Sequence, residues 1–259
     1  MKRSMRFLGL ILGLAMILTG CGQSASQEEE SVITLAAAAS LKNCLDGELI
    51  PMFREQYPEI QVEATYDSSG KLQAQIEEGA PINVFISAAM KQMEALDEKE
   101  LIIKDSIKAL LENKIVLIVP ADSDTFIETF EEIVKMERIA VGDPDSVPAG
   151  QYAKEALINL NLWEIVESKA SLGTNVTEVL NWVAEGSADA GIVYSTDAAF
   201  TDKVKVVAEA PAESVAQIIY PVGIVKSTEG EEAARKFIVF LETEEAKAVF
   251  ESYGFTANQ

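Results

Sequence analysis

The stretch IQVEATYDSSGKLQAQIEEGAP, residues 60–81, contains one strand followed by one helix. Apolar residues alternate with polar ones from Ile60 to Tyr66, which is typical of a strand with one buried face. Leu72 and Ile76 then lie four residues apart, as on one face of a helix, and the Gly79–Pro81 segment ends that helix. A short loop with two serines and a glycine joins the two elements. The fold predicted from this stretch is therefore of the α/β class.

The alternation of strand and helix signals continues through the 259 residues, a length that suits one large domain or two modest lobes. Apolar runs and alternating stretches predict further strands at 32–37, 84–87, 115–119, 139–141, 191–194, 204–207 and 218–225. Apolar residues at helical spacing predict further helices around 41–53, 152–160, 176–183, 233–241 and 246–250. The first of these helices contains Pro51, which is expected to kink or split it. Short strands separated by helices predict parallel sheets that helices cover on both faces.

The loop at residues 68–70 allows three interpretations. Ser68 and Lys71 form S-x-x-K, the nucleophile motif of penicillin-binding proteins, which would make the protein a serine acyltransferase. A helix start also presents unpaired N–H groups, to which serines add hydroxyl donors, so the loop could hold an anion. Serine is, finally, an ordinary first residue of a helix. The companion motifs S-D-N and K-T-G of the enzyme hypothesis are missing from the sequence.

The composition argues against most kinds of catalysis. There is no histidine, which excludes Ser-His-Asp and Cys-His mechanisms and histidine-based metal sites. No phosphate-binding loop and no dinucleotide-binding glycine motif occurs, and the acidic stretches at 122–124 and 143–145 do not complete a calcium loop. These observations argue against such mechanisms and against histidine-based or calcium sites.

The chain is strongly acidic, with a formal net charge of −21. Such a surface repels nucleic acids and anionic lipids, so neither is expected as a partner.

The first twenty residues are predicted to be a signal peptide. Lys2, Arg3 and Arg6 precede an apolar run at 7–18 that is too short to span a bilayer comfortably. Leu-Thr-Gly-Cys at 18–21 resembles the lipobox of bacterial lipoproteins, which implies cleavage before Cys21 and lipidation of its thiol. Residues 21–31 would then be a lipidated cysteine and a flexible tether, and the protein would be anchored on the outer face of the cell membrane.

The remaining cysteine, Cys44, would then have no partner. We expect no disulfide, and a small buried apolar side chain on a helix.

Four predicted junctions between a strand and a helix share one chemical character. Small residues, hydroxyls or a helix-capping pair occur at each of them: 36–41, 68–70, 147–150 and 174–176, where Asn175 and Glu178 resemble a capping box. The carboxyl ends of parallel strands are where open α/β sheets bind ligands. Backbone N–H groups and hydroxyls without a cation suit a small, fully ionised oxyanion.

The residues at these junctions resemble those of the molybdate-binding proteins of bacterial ABC importers. The matching stretches run in the family's order over nearly the whole chain: AAAASL (36–41), SSGKLQAQIEEGAP (68–81), VFISA (84–88), AVGDPDSVPAGQYAKEAL (140–157), GIVYSTDA (191–198), YPVGIV (220–225) and YGFT (253–256). The resemblance implies the two-lobed type II periplasmic solute-binding fold, with a hinge of crossover strands. It also implies that a monomeric protein captures molybdate, and tungstate, for a membrane permease. On this reading the protein is not an enzyme, needs no cofactor and forms no direct bond to a metal ion.

The resemblance further implies which residues bind the ligand. Ser40 and Ser69 would each offer a hydroxyl and a backbone N–H, Ala149 and Val176 would offer backbone N–H groups, and Tyr194 would offer its phenol.

Three positions depart from the family's pattern. Gly70 stands where some relatives have a third serine, Asp67 puts an acid close to an anion site, and Asn83 replaces a frequent aspartate.

The strands at 115–119 and 218–225 are candidates for the crossovers between lobes. Lobe 1 would then comprise 32–115 and 222–259, and lobe 2 would comprise 116–221. Within the same class of protein, the alternative ligand is another tetrahedral oxyanion such as sulfate or phosphate. Protonated phosphate would require an acceptor, for which Asp67 is the candidate.

Overall fold

The computed structural model describes residues 31–226 and 229–258. The predicted signal peptide, Cys21 and the tether up to residue 30 lie outside the described residues. Within them the strands are β1 (Ser31–Ala38), β2 (Ile60–Asp67), β3 (Val84–Ile86), β4 (Lys108–Asn113), β5 (Ile115–Pro120), β6 (Ile139–Gly142), β7 (Ala170–Gly173), β8 (Ala190–Tyr194), β9 (Val204–Glu209), β10 (Ile218–Ile224) and β11 (Thr256–Ala257).

The α-helices of the same residues match most of the predicted apolar faces. They are α1 (Lys42–Cys44), α2 (Ile50–Gln56), α3 (Ser69–Glu77), α4 (Met90–Glu98), α5 (Pro148–Asn159), α6 (Trp163–Glu167), α7 (Val176–Ala184), α8 (Ser195–Ala199), α9 (Glu231–Leu241) and α10 (Glu244–Ser252). Sequence analysis missed α4, α6, α8, β4, β7 and β11.

The strands form two sheets. The first has six strands in the order β11-β4-β10-β3-β1-β2, and the second has five in the order β7-β6-β8-β5-β9. β1 is parallel to β2 and β3, and β6 is parallel to β7 and β8. β10 and β5, in contrast, are antiparallel to both of their neighbours. The prediction of wholly parallel sheets is therefore wrong, because these two strands do not enter their sheets through a helical crossover.

The chain passes between the two sheets twice. The first passage is the single residue Lys114, between β4 and β5, and the second is the segment 210–217, between β9 and β10. The strands at 115–119 and 218–225 are thus not crossovers, since each lies within one sheet. The predicted lobe limits, at 115/116 and 221/222, remain a prediction, although the second of them falls inside β10.

The helical segment after β1 runs without interruption from residue 39 to residue 56. A 3-10 turn, α1, a π turn at Leu45–Leu49 and α2 follow one another directly. Pro51 lies in the first turn of α2, immediately after the π turn, so the regular hydrogen-bond ladder is altered there without the helical path being split. Cys44 is buried and free on this segment, as predicted.

No helix among the described residues is long and apolar enough to cross a membrane.

Buried aliphatic and aromatic residues fill the space between each sheet and its helices. In the first lobe, Phe53 packs against Phe237 and Phe240.

Candidate functional site

A small cleft lies where the four strand-to-helix junctions meet. Its cavity volume is about 10 Å³, far less than the roughly 300–1,000 Å³ of sites for drug-sized ligands, so the lobes as they stand leave only a very small space between them. It is lined by Ala38, Ala39, Ser40, Asp67, Ser68, Ser69, Ala88, Val147, Pro148, Ala149, Val176 and Tyr194. All five residues predicted to bind the ligand are in this set. That they contact a ligand remains a prediction.

The register of the parallel strands explains why these residues converge. Ala38 pairs with Asp67 at the ends of β1 and β2, so the segments carrying Ser40 and Ser69 begin side by side. Gly142 pairs with Gly173 at the ends of β6 and β7, which aligns the starts of α5 and α7 in the same way. Each sheet thus contributes two adjacent junctions to the cleft.

The start of α5 packs very closely on the end of β6. A side-chain carbon on Gly150 would lie 1.9 Å from the carbonyl oxygen of Gly142, so only glycine fits there. This close packing brings the N-terminal turn of α5, including Ala149, to the cleft.

Several hydrogen bonds join the lobes around the cleft. The backbone N–H of Gly70 donates to the carbonyl oxygen of Ser146 at 3.0 Å. The Tyr194 hydroxyl donates to the carbonyl oxygen of Ala88 at 3.3 Å. A side-chain carbon on Gly70 would lie 2.5 Å from the same Ser146 oxygen, so a serine at this position would not fit between the lobes as they stand.

The two serines proposed as ligand donors both have a protein partner. The fully buried Ser69 hydroxyl oxygen accepts a hydrogen bond from the backbone N–H of Ala88 at 3.0 Å, which leaves the hydroxyl hydrogen of Ser69 free to donate. The Ser40 hydroxyl lies 3.0 Å from the hydroxyl of Tyr220.

The geometry around Ser68 does not fit an S-x-x-K enzyme. A nucleophile and its base must lie within hydrogen-bond reach, but the Lys71 ammonium pairs with Asp67 Oδ1 at 3.2 Å. The same carboxylate oxygen accepts from the backbone N–H of Ser68 at 2.7 Å. The Ser68 hydroxyl oxygen is buried and has no hydrogen-bond partner among the described residues. The Lys71 ammonium and the backbone N–H of Ser68 thus both contact Oδ1 of Asp67.

Replacing Lys71 with alanine is expected to change oxyanion affinity by less than about threefold, because a partly exposed ion pair contributes only about 0–1 kcal/mol. Isothermal titration calorimetry of wild type and variant measures this. A loss of all binding in Lys71→Ala would mean that this lysine contacts the ligand.

Both tyrosines near the cleft remain protonated at neutral pH. Burial is the main cause that raises the pKa of Tyr194 and of Tyr220 far above the usual value. Hydrogen bonds with Ser40 and Asn113 act in the opposite direction on the pKa of Tyr220.

A buried acid lies directly behind this tyrosine pair. Burial raises the pKa of Asp197 to about 7, although its hydrogen bond from the backbone of Tyr194 acts in the opposite direction. Its Oδ2 has no hydrogen-bond partner within 31–226 and 229–258.

The cleft is nearly free of charge. Asp67 is the one charged residue in its lining, and no lysine or arginine is part of that lining. No group of three or more histidine, cysteine, aspartate or glutamate side chains that could hold a metal ion occurs among the described residues. The site therefore offers neutral dipoles, which can hold an anion by hydrogen bonds.

Sequence analysis missed the two residues that lie behind Ser40, namely Tyr220 and Asn113. Tyr220 belongs to one of the stretches that carry the family resemblance, but nothing in its spacing indicates contact with Ser40. Asn113 is the last residue before the first passage between the sheets, and a polar residue at the end of an apolar strand was the available signal.

Known proteins resemble this chain over nearly its full length. The pattern of the family described as bacterial extracellular solute-binding protein matches residues 33–256. The putative ABC transporter substrate-binding lipoprotein YvgL of Bacillus subtilis is 42% identical over 93% of this chain and 94% of its own length. The molybdate-binding protein ModA of Haemophilus influenzae is 39% identical over 95% of this chain and 97% of its own.

A solved structure resembles the fold as well. The periplasmic molybdate-binding protein of Azotobacter vinelandii aligns with a TM-score of 0.78 at 24% identity, covering 88% of this chain and 100% of that one. This comparison confirms the predicted two-lobed type II periplasmic binding fold.

Proposed function

Because the chain belongs to the family of bacterial extracellular solute-binding proteins, we propose that it captures molybdate outside the cytoplasm and delivers it to the permease of an ABC transporter. The similarity to ModA of Haemophilus influenzae, which covers both chains almost completely, supports molybdate as the ligand. Tungstate, an oxyanion of nearly the same size and charge, is proposed as a second ligand.

One observation carries this proposal: hydrogen-bond donors dominate the cleft. The Ser69 hydroxyl oxygen accepts from the backbone N–H of Ala88, which leaves its hydrogen for a ligand. The Asp67 carboxylate is the candidate acceptor for a protonated oxyanion, and its Oδ1 is already bonded to the backbone N–H of Ser68 and to Lys71. Such a site favours an anion with no proton over hydrogen phosphate.

The proposed ligand set is Ser40, Ser69, Ala149, Val176 and Tyr194. Tyr194 has one hydroxyl hydrogen, which it donates to the carbonyl oxygen of Ala88. Binding through Tyr194 therefore requires that this hydrogen turns to the ligand.

The ligand is transported and not converted, and we propose that the protein needs no cofactor and performs no catalysis. Its relatives are solute-binding proteins, not enzymes. It is proposed to act as a monomer.

Calorimetric titration of the purified protein with molybdate, tungstate, sulfate and phosphate tests the proposal. We expect tight binding of molybdate and tungstate, weaker binding of sulfate, and the weakest binding of phosphate near neutral pH. Tighter binding of phosphate than of molybdate would mean that an acceptor in the cleft has been overlooked and that the ligand assignment is wrong.

A lipid anchor at Cys21 is also proposed. Its support is the Leu-Thr-Gly-Cys sequence and the similarity to YvgL, which is named a lipoprotein. Replacing Cys21 with alanine should move the protein from the membrane fraction to the soluble fraction without changing its affinity for molybdate. Fractionation followed by immunoblotting measures the first effect, with Cys44→Ala as the matched control that should stay on the membrane. Membrane retention of Cys21→Ala in cells that lack the permease would contradict the anchor.

A further inference from the structure

A chain of buried hydrogen bonds leads from the first passage between the sheets to the cleft. It begins at Asn113, the last residue of β4, whose Oδ1 accepts from the backbone N–H of Lys114 at 2.8 Å and from the Ser195 hydroxyl at 3.0 Å. A backbone N–H can only donate, so the oxygen of the Asn113 amide must be the atom that faces Lys114.

The orientation of that amide determines the next bond. Nδ2 of Asn113 faces Thr196 Oγ1 at 2.9 Å and Tyr220 Oη at 3.2 Å, and an amide nitrogen has hydrogens but no acceptor. The Tyr220 oxygen is therefore an acceptor toward Asn113.

The hydrogen of Tyr220 needs an acceptor of its own, because the hydroxyl is fully buried. Tyr194 donates its one hydroxyl hydrogen to Ala88, and the hydrogen bonds of the Tyr220 hydroxyl within the described residues are those with Asn113 and Ser40. The remaining partner is the Ser40 hydroxyl oxygen at 3.0 Å. Ser40 thus accepts from Tyr220, and its own hydrogen is left for the cleft, which Ser40 lines.

We propose that Tyr220 is a positioning residue that fixes the Ser40 hydroxyl as a donor toward the ligand and thereby favours oxyanions that carry no proton. This inference rests on the proposed function and deepens it. The backbone N–H of Ala88 does the same for Ser69, so the hydroxyls of Ser40 and Ser69 each have a donor behind them that leaves their own hydrogen for the cleft. In Ser40 the partner is a side chain, which makes its role testable by substitution.

The test is a double-mutant cycle with Tyr220→Phe and Ser40→Ala, measured by molybdate titration. Phenylalanine keeps the ring that packs against Tyr194 and Phe255 and removes only the hydroxyl. In the presence of Ser40, Tyr220→Phe should weaken molybdate binding by about two- to tenfold, the effect of one ordinary hydrogen bond. In Ser40→Ala, the same substitution should have almost no further effect, because Tyr220 then has no hydroxyl to orient.

A second readout is specific to the direction of the hydrogen bond. Once Tyr220 no longer donates, Ser40 can turn and accept, so hydrogen phosphate should compete with molybdate better in Tyr220→Phe than in wild type. Tyr57→Phe is the control, because its hydroxyl bonds only with Gln56 in the described structure and does not line the cleft. It should change neither affinity nor competition.

Several results would overturn the assignment. An equal loss from Tyr220→Phe with and without the Ser40 hydroxyl would show that Tyr220 acts through general packing. No loss in either background would show that Tyr220 has no role in binding.

If thermal unfolding shows that Tyr220→Phe is not folded, the variant Asn113→Asp is measured in its place. A carboxylate would accept the hydrogen of Tyr220 and turn it away from Ser40, so the same loss is expected, and unchanged affinity would contradict the proposal. Wild-type protein that binds no molybdate would contradict the proposed function instead.

Discussion

Gly70→Ala is expected to lower molybdate affinity by about a hundred- to ten-thousandfold, since the loss of two charge-assisted hydrogen bonds of roughly 1.5–3 kcal/mol each has this effect. The added methyl group would lie 2.5 Å from the carbonyl oxygen of Ser146 in the opposite lobe, so the lobes would have to stay farther apart. Donors of the second lobe, among them Ala149 and Val176, would then not reach a ligand that Ser40 and Ser69 hold.

The same substitution should not destabilise the fold. Gly70 lies in the first turn of α3 with ordinary helical geometry, where alanine is preferred to glycine by up to about 1 kcal/mol. Thermal unfolding without ligand should therefore be unchanged or slightly improved while titration shows the loss of affinity. Small-angle X-ray scattering should show compaction on adding molybdate in wild type and none in the variant.

Gly47→Ala provides a matched control. Its added carbon would approach only the side chain of Tyr253, which lies in the same lobe and can move. We expect normal affinity from it. Normal affinity in Gly70→Ala as well would show that the lobes need not approach as closely as Gly70 and Ser146 do.

Ser69→Ala is expected to lower molybdate affinity by about ten- to a hundredfold, the effect of one hydrogen bond to a charged group. In contrast to Gly70→Ala, this variant should also lose about 1–3 kcal/mol of folding stability, because the buried N–H of Ala88 loses its acceptor. Calorimetric titration measures the first effect, and denaturant unfolding without ligand measures the second.

Ser106→Ala separates these two effects. Like Ser69, Ser106 is a buried serine whose hydroxyl oxygen accepts from a backbone N–H, here that of Ile224 at 2.8 Å, but it does not line the cleft. It should lose similar stability and keep full affinity. Equal affinities of Ser69→Ala and Ser106→Ala would remove Ser69 from the ligand set.

Much of the site was predictable because it is local in sequence. Each junction combines a strand, a few small residues and a helix within about fifteen positions, and the strand and helix signals on either side of Ser69 are strong. The orientation of β5 and β10 was not predictable in the same way. An apolar run such as 115–119 has the same pattern whether its neighbours are parallel or antiparallel. Only the single-residue passage at Lys114 shows that β5 enters its sheet without a helix.

The support behind Ser40 was beyond sequence analysis for a different reason. Tyr220 is 180 residues away from Ser40 along the chain, and Asn113 touches it only because β4 and β10 are neighbours in the first sheet. A tyrosine within an apolar strand is consistent with simple core packing. Its second role depends on hydrogen-bond direction, which becomes visible only when all partners of the hydroxyl are known.

The position of β10 has a consequence for the order in which the molecule is assembled. The second sheet is built from one uninterrupted stretch, β5 to β9, whereas the first sheet needs β10 between β4 and β3. A chain synthesised from its amino end can therefore finish the second sheet while the first is still divided in two. Insertion of β10 closes that gap and at the same time brings Tyr220 to Ser40. We therefore expect a chain that ends before β10 to lack a competent cleft, and ligand to be retained only after the segment that begins with β10 has folded into place.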